Sequence, residues 1–129
     1  MEDQGGPLSG IGQISVTVHD LEEAVAFYRD SLGLPELFRA GTMAFLQCGD
    51  VRLMLTLPEE ADGAAPSSIL YFSVEDLEAA HARLRERDVP FERPPHKVAD
   101  LGERELWMAF FRDPDGHLMA IMSERPQEA

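Results

Sequence analysis

Cysteine occurs once, as Cys48, in a chain of 129 residues. A single thiol excludes an internal disulfide framework and fits a reducing compartment, so a cytoplasmic location is expected. Cys48 itself reads as a small hydrophobic residue of a strand. Basic residues are scarce as well: 11 Lys and Arg stand against 24 Asp and Glu, for a net charge of −13. That balance argues against contact with a phosphate backbone, and no nucleic-acid partner is expected. No apolar run approaches the ~18 residues that a membrane span needs, so no membrane partner is expected either. The opening "MEDQGGPLSG" has neither a basic n-region nor an apolar h-region. It reads as a flexible arm rather than a signal peptide.

What is present is ordinary in bulk and unusual in order. Apolar residues make up 44% and charged residues 27%, as in soluble globular proteins. The length suits one domain with a single core. Within it, "VHDLEEA" at residues 18–24 returns as "VEDLEAA" at 74–80, with five of seven letters matching at an offset of 56. A repeat of this kind has to be recognised before a fold is assigned.

The first copy begins with "IGQISVTV", which alternates with a period of two and predicts a strand. Asp20 is placed as an N-cap, with Glu23 completing a capping box. Leu21, Ala24, Val25, Phe27, Tyr28 and Leu32 form the apolar stripe of a helix, and Gly33 closes it. Three strand-like runs follow, "ELFRA", "MAFLQC" and "VRLMLTL". After the Pro-, Ala- and acid-rich "PEEADGAAPSS", the pattern restarts with "SILYFSV", a helix over "EDLEAAHARLRERD" and a short strand "PFERP". A loop is expected through "PHKVADLGE", then a hairpin of "ELWMAFF" and "HLMAIMS" closed by "DPDG". The expected organisation is one domain, 1–129, with module one over about 10–57, a linker over 58–68 and module two over about 69–123. The fold class is α+β: two tandem βαβββ modules whose mixed sheets form a cup, with the helices outside.

The repeat, "FYRDSLGL" at the end of helix one and "FFRDPDGHLMAIM" near the C-terminus together resemble the vicinal oxygen chelate superfamily. This is the group of glyoxalase I, bleomycin-resistance proteins and extradiol dioxygenases. The resemblance spans about residues 10–123 and implies the fold above and a homodimer. It does not fix a function, because the group holds lyases, epimerases, dioxygenases, thiol transferases and non-catalytic binders.

Metal enzymes of this superfamily place up to four ligands on the first and last strands of each module, facing the cup. Strand alternation puts Gln13, Ser15, Thr17, Arg52, Met54 and Thr56 on that face in module one. In module two it puts Ile69, Tyr71, Ser73, Leu118, Ala120 and Met122 there. Carried over residue by residue, the resemblance implies that Gln13, Met54, Ile69 and Ala120 hold the ligand positions. Gln is an acceptable carbonyl donor, Met suits soft ions, and Ile and Ala donate nothing. No metal site and no cofactor are therefore expected.

Other residues suggest contact with a small organic ligand. Arg52, taken as lying inside the cup, needs a carboxylate of the protein or an anionic group of a ligand. Trp107 and Phe110 lie on a strand rich in aromatics, some of which are expected to form an apolar wall of the cup. His96, in the expected loop, has the intrinsic pKa of a general base. His19, His81 and His117 read as structural or exposed. Two functional readings stay open. One is a metal-free binder of the bleomycin-resistance kind. The other is an enzyme: glyoxalase-like or epimerase-like with a rearranged divalent-metal site around Gln13 and His96, or a metal-independent catalyst using His96.

Overall fold

Alternation in "QISVT" becomes β1, Gln13–Thr17, with Val16 buried and Gln13 and Ser15 exposed. The structure, a computed structural model, describes residues 6–7, 10–58 and 68–127. Most of the N-terminal arm and most of the expected linker thus lie outside the described residues. Asp20 caps the first helix, its carboxylate accepting from the Glu23 amide at 3.0 Å. The helix runs as α1, Leu21–Val25, and then widens into a π-helical segment, Ala26–Ser31. Its signature is the Leu32 amide, which donates to the Phe27 carbonyl five residues back at 2.9 Å. Gly33 follows at φ +85°, the left-handed region that glycine enters without steric cost.

Strands β2 (Glu36–Ala40), β3 (Met43–Cys48) and β4 (Val51–Thr56) complete a four-stranded sheet in the order β1-β4-β3-β2. Strand β1 runs parallel to β4, and the other neighbours are antiparallel. The second copy repeats this. Strand β5 (Leu70–Ser73) leads to α2 (Leu77–Glu86), whose N-cap Asp76 accepts from the Ala79 amide at 3.0 Å. Then come β6 (Phe91–Asp100), β7 (Arg104–Arg112) and β8 (Leu118–Pro126), in the sheet order β5-β8-β7-β6. The architecture is α+β, two βαβββ modules in tandem, as expected.

One segment differs from expectation. The stretch through His96 is not a loop after a short strand but one ten-residue strand, β6. Pro94 and Pro95 have no N–H, and pairing with β7 slips at three places, between Phe91 and Arg93, Arg93 and His96, and Lys97 and Ala99. A strand at the sheet edge tolerates both features, because one side of it has no ladder to complete.

The faces that carry the helices meet in one core. Val16, Val18, Leu46, Leu53 and Leu55 of the first sheet join Ala109, Phe111, Met119 and Ile121 of the second, with Tyr28 and Leu77 from the helices. Polar contacts tie the modules together beside this core. The Tyr28 hydroxyl donates to Asp113 Oδ2 at 2.7 Å, and His117 Nε2 donates to the Thr17 carbonyl at 2.8 Å. His19 Nδ1 meets Asp115 Oδ1 at 2.7 Å. His81 packs edge-on against Phe91. These three histidines thus have structural partners.

Candidate functional site

The opposite face of each sheet carries the candidate residues. On the first sheet the parallel register sets Gln13 beside Arg52 and Ser15 beside Met54. The side chains form a chain of contacts. Arg52 Nε donates to Gln13 Oε1 at 2.8 Å, and Gln13 Nε2 donates to Met54 Sδ at 3.7 Å. The Arg52 guanidinium also lies 5.2 Å from the Phe45 ring centroid, a cation–π arrangement. Phe38 stacks on Phe45 at 4.6 Å and is 48% exposed. Arg52 was expected to be interior, yet it is exposed in the single chain. Its mate is an amide oxygen rather than a carboxylate: among the described residues it forms no ion pair.

On the second sheet Tyr71 pairs with Ala120, and Ala120 pairs with Phe110, which sets the three on one face. His96 pairs with Met108 and lies 6.0 Å from the Phe110 ring, so it belongs to the same face. His96 Nδ1 donates to the Pro94 carbonyl at 2.7 Å. That contact needs a proton on Nδ1, so in the neutral ring Nε2 carries the lone pair. Ile69 sits just before β5 and is 37% exposed; Tyr71 is 46% exposed.

Trp107 is a correction. It lies on the helix side, in register with Ser123, and packs against the common core. The Arg125 guanidinium stands 4.0 Å from its ring centroid, and its Nε1 donates to Glu105 at 2.9 Å. In "WMAFF" both faces of β7 are apolar, so alternation could not say which aromatic faced the core. Trp107, Ala109 and Phe111 face it; Met108 and Phe110 do not.

The structure therefore brings together Gln13, Arg52 and Met54 on one sheet, and Tyr71, Phe110, Ala120 and His96 on the other. The contacts that join the sheets lie elsewhere, on the helix side and at the β7–β8 turn. Sequence reasoning missed Phe45 and Phe38. Their signal was available, because Phe45 is in register with Met54 and so shares its face.

The four positions at which the fold family carries metal do not fit a divalent ion. Ile69 and Ala120 have no donor atom, and the Gln13 carbonyl already accepts from a guanidinium. A second cation at that oxygen would meet the Arg52 charge at close range. Among the described residues no group of three or more His, Cys, Asp or Glu is placed to hold a metal.

The family model of the Glyoxalase/Bleomycin resistance protein/Dioxygenase superfamily matches residues 10–121. The chain belongs to this superfamily. It is 35% identical over 123 residues to YraH, an uncharacterized protein of Bacillus subtilis (strain 168), covering 84% of this chain and 94% of that one. It is 29% identical over 120 residues to glutathione transferase FosA of Serratia marcescens, covering 88% and 80% of the two chains. Among solved structures, lactoylglutathione lyase from Agrobacterium tumefaciens superposes with a TM-score of 0.76 at 25% identity, over 92% of this chain and 96% of that one.

Proposed function

We propose that this protein is a metal-free small-molecule binder of the bleomycin-resistance kind, acting in the cytoplasm as a homodimer. The observation that carries the reading is the Arg52 cluster: a guanidinium anchored by Gln13, backed by Phe45 and, among the described residues, free of a protein carboxylate. Such a group suits a carboxylate, phenolate or carbonyl of a ligand whose apolar body rests on the neighbouring rings. The Phe38–Phe45 stack supplies the flat apolar surface beside the guanidinium. Phe110, Tyr71 and Ile69 supply the facing wall when a second protomer brings its second sheet opposite the first sheet of its partner.

Two measurements test this. Elemental analysis of the purified protein is expected to find no stoichiometric transition metal. One equivalent of Zn²⁺, Ni²⁺ or Fe²⁺ per chain, lost on Gln13→Ala, would overturn the reading. In a calorimetric screen of aromatic acids, Arg52→Ala is expected to weaken binders about ten- to a hundredfold, the worth of one charge-assisted contact. Arg52→Lys should recover only part of that, since the planar fork is lost.

The likeness to glutathione transferase FosA and lactoylglutathione lyase favours a second reading, an enzyme of the glyoxalase-like kind. His96 is the base it would use, through Nε2. Turnover of an electrophilic substrate with glutathione, abolished by His96→Gln and indifferent to chelator, would replace the binding reading with this one.

A further inference from the structure

A cavity lies away from the Arg52 face, between the modules on the helix side, with a volume of about 590 Å³. That is within the range of pockets for small organic ligands. Phe72, Phe111 and Ile121 line it, and Phe111 and Ile121 are almost fully buried members of the common core. Arg83 and Arg87, one turn apart near the end of α2, stand at its edge. Neither forms an ion pair among the described residues. Arg87 reaches across to module one, where Nη1 donates to the Ser31 carbonyl at 3.2 Å. A Cβ at Gly33 would stand 3.7 Å from the same nitrogen, an ordinary contact, so the positive φ rather than lack of room calls for glycine there.

Two guanidiniums beside an apolar recess, neither in an ion pair among the described residues, stand out in a chain of net charge −13. Carboxylates are more than twice as common as cations here, so ion pairing would be the easy outcome. An arginine pair beside one buried and one partly buried aromatic ring is complementary to a ligand that is apolar at one end and anionic at the other.

We infer that the inter-module cavity is a second binding site, for a free amphipathic carboxylate such as a medium-chain fatty acid or an aryl acid. The apolar body lies against Phe72 and Phe111, and the acid group sits between Arg83 and Arg87. Because the cavity is built from both modules, an occupant also holds them in one arrangement. This site does not depend on the Arg52 cluster.

Decanoate and its neutral counterpart decanol are the probes, titrated into the full chain by calorimetry and by amide chemical shifts. Decanoate is expected to saturate at one per chain, with the largest shifts at Val74, Arg83, Leu84 and Cys48. Decanol should bind at least about tenfold more weakly, because it cannot engage the guanidiniums as an ion. Arg83→Glu, on an exposed helix face, should weaken decanoate by a similar factor, and Arg83→Gln by less. Any of three results overturns the proposal: equal binding of decanoate and decanol, no saturable binding below millimolar concentration, or shifts centred on Gln13 and Arg52 that Arg52→Ala removes.

Discussion

Tyr28 donates its hydroxyl to Asp113 across a sequence separation of 85, and both side chains are buried. The other carboxylate oxygen of Asp113 accepts from the amides of Asp115 and His117 at 3.0 and 2.8 Å. One acid thus closes the β7–β8 turn and holds the first helix at the same time. Tyr28→Phe leaves the buried Oδ2 without its donor. The expected cost is about 1–3 kcal/mol of stability in a denaturant titration. Burial, chiefly, and the Asp113 charge push the Tyr28 phenol far above its usual range. A group whose pKa is raised on folding contributes stability that is full below the unfolded value, near 10, and falls as pH climbs past it. Wild type should therefore lose stability above about pH 10 in a way that Tyr28→Phe does not, so the gap between them should narrow there. A gap that stays constant to pH 11 would show that the phenol ionises as readily in the fold as in the unfolded chain.

At the scale of elements, α2 ends under strain that a substitution can relieve. Asp88, just after the helix, has φ +67°, the only non-glycine residue in the left-handed region among those described. Its amide donates to Arg85 and that of Val89 to Leu84, so the turn is needed to satisfy the last carbonyls. An acid here also opposes the helix dipole. Asp88→Gly removes both penalties, against the larger entropy that glycine loses on folding. The net expectation is a gain of about 0.5–1 kcal/mol, seen as a higher midpoint in thermal unfolding. Asp88→Val should move the midpoint the other way. Elements such as β1, β4 and the Asp20 N-cap were legible in the sequence because alternation and caps are local signals, whereas the Asp76 cap was read as part of its helix. The π-helical widening after Val25 was not, since its side-chain stripe reads as an ordinary helix. Strand β6 was not legible either, because two prolines and three slips erase its period. That Gln13, Arg52 and Met54 share a face followed from alternation, but the Arg52–Gln13 hydrogen bond did not, because it needs the parallel register of β1 and β4. Trp107 did not, because its strand is apolar on both faces.

At the scale of the whole molecule, each module spends its helix face on the shared core and leaves the other face open. Phe38, Ile69 and Tyr71 are among the exposed large apolar side chains, at 48%, 37% and 46%. All lie with the candidate site residues, on or beside faces that one chain does not bring together. Exposed rings beside a guanidinium and beside a histidine suit closure against a second copy, with the first sheet of one protomer opposite the second sheet of its partner. Such an arrangement is two-fold symmetric and makes two equal cups, each with Arg52 from one chain and Tyr71, Phe110 and His96 from the other. Light scattering after size exclusion at micromolar concentration is expected to give twice the chain mass of 14.4 kDa. Phe38→Glu places a carboxylate in the middle of the contact, beside the Phe45 ring, and should return the protein to monomers without unfolding it, as judged by circular dichroism. In that arrangement each cup needs both chains, so the same variant should lose affinity for aromatic acids even though Arg52 is intact. Mixing Arg52→Ala protein with Tyr71→Ala protein separates this from a cup made within one chain. Exchange of protomers would then create one cup carrying both lesions and one carrying neither, restoring strong binding at one site per heterodimer. A monomeric wild type, or mixed variants that bind no better than either alone, would mean that each face works without its partner.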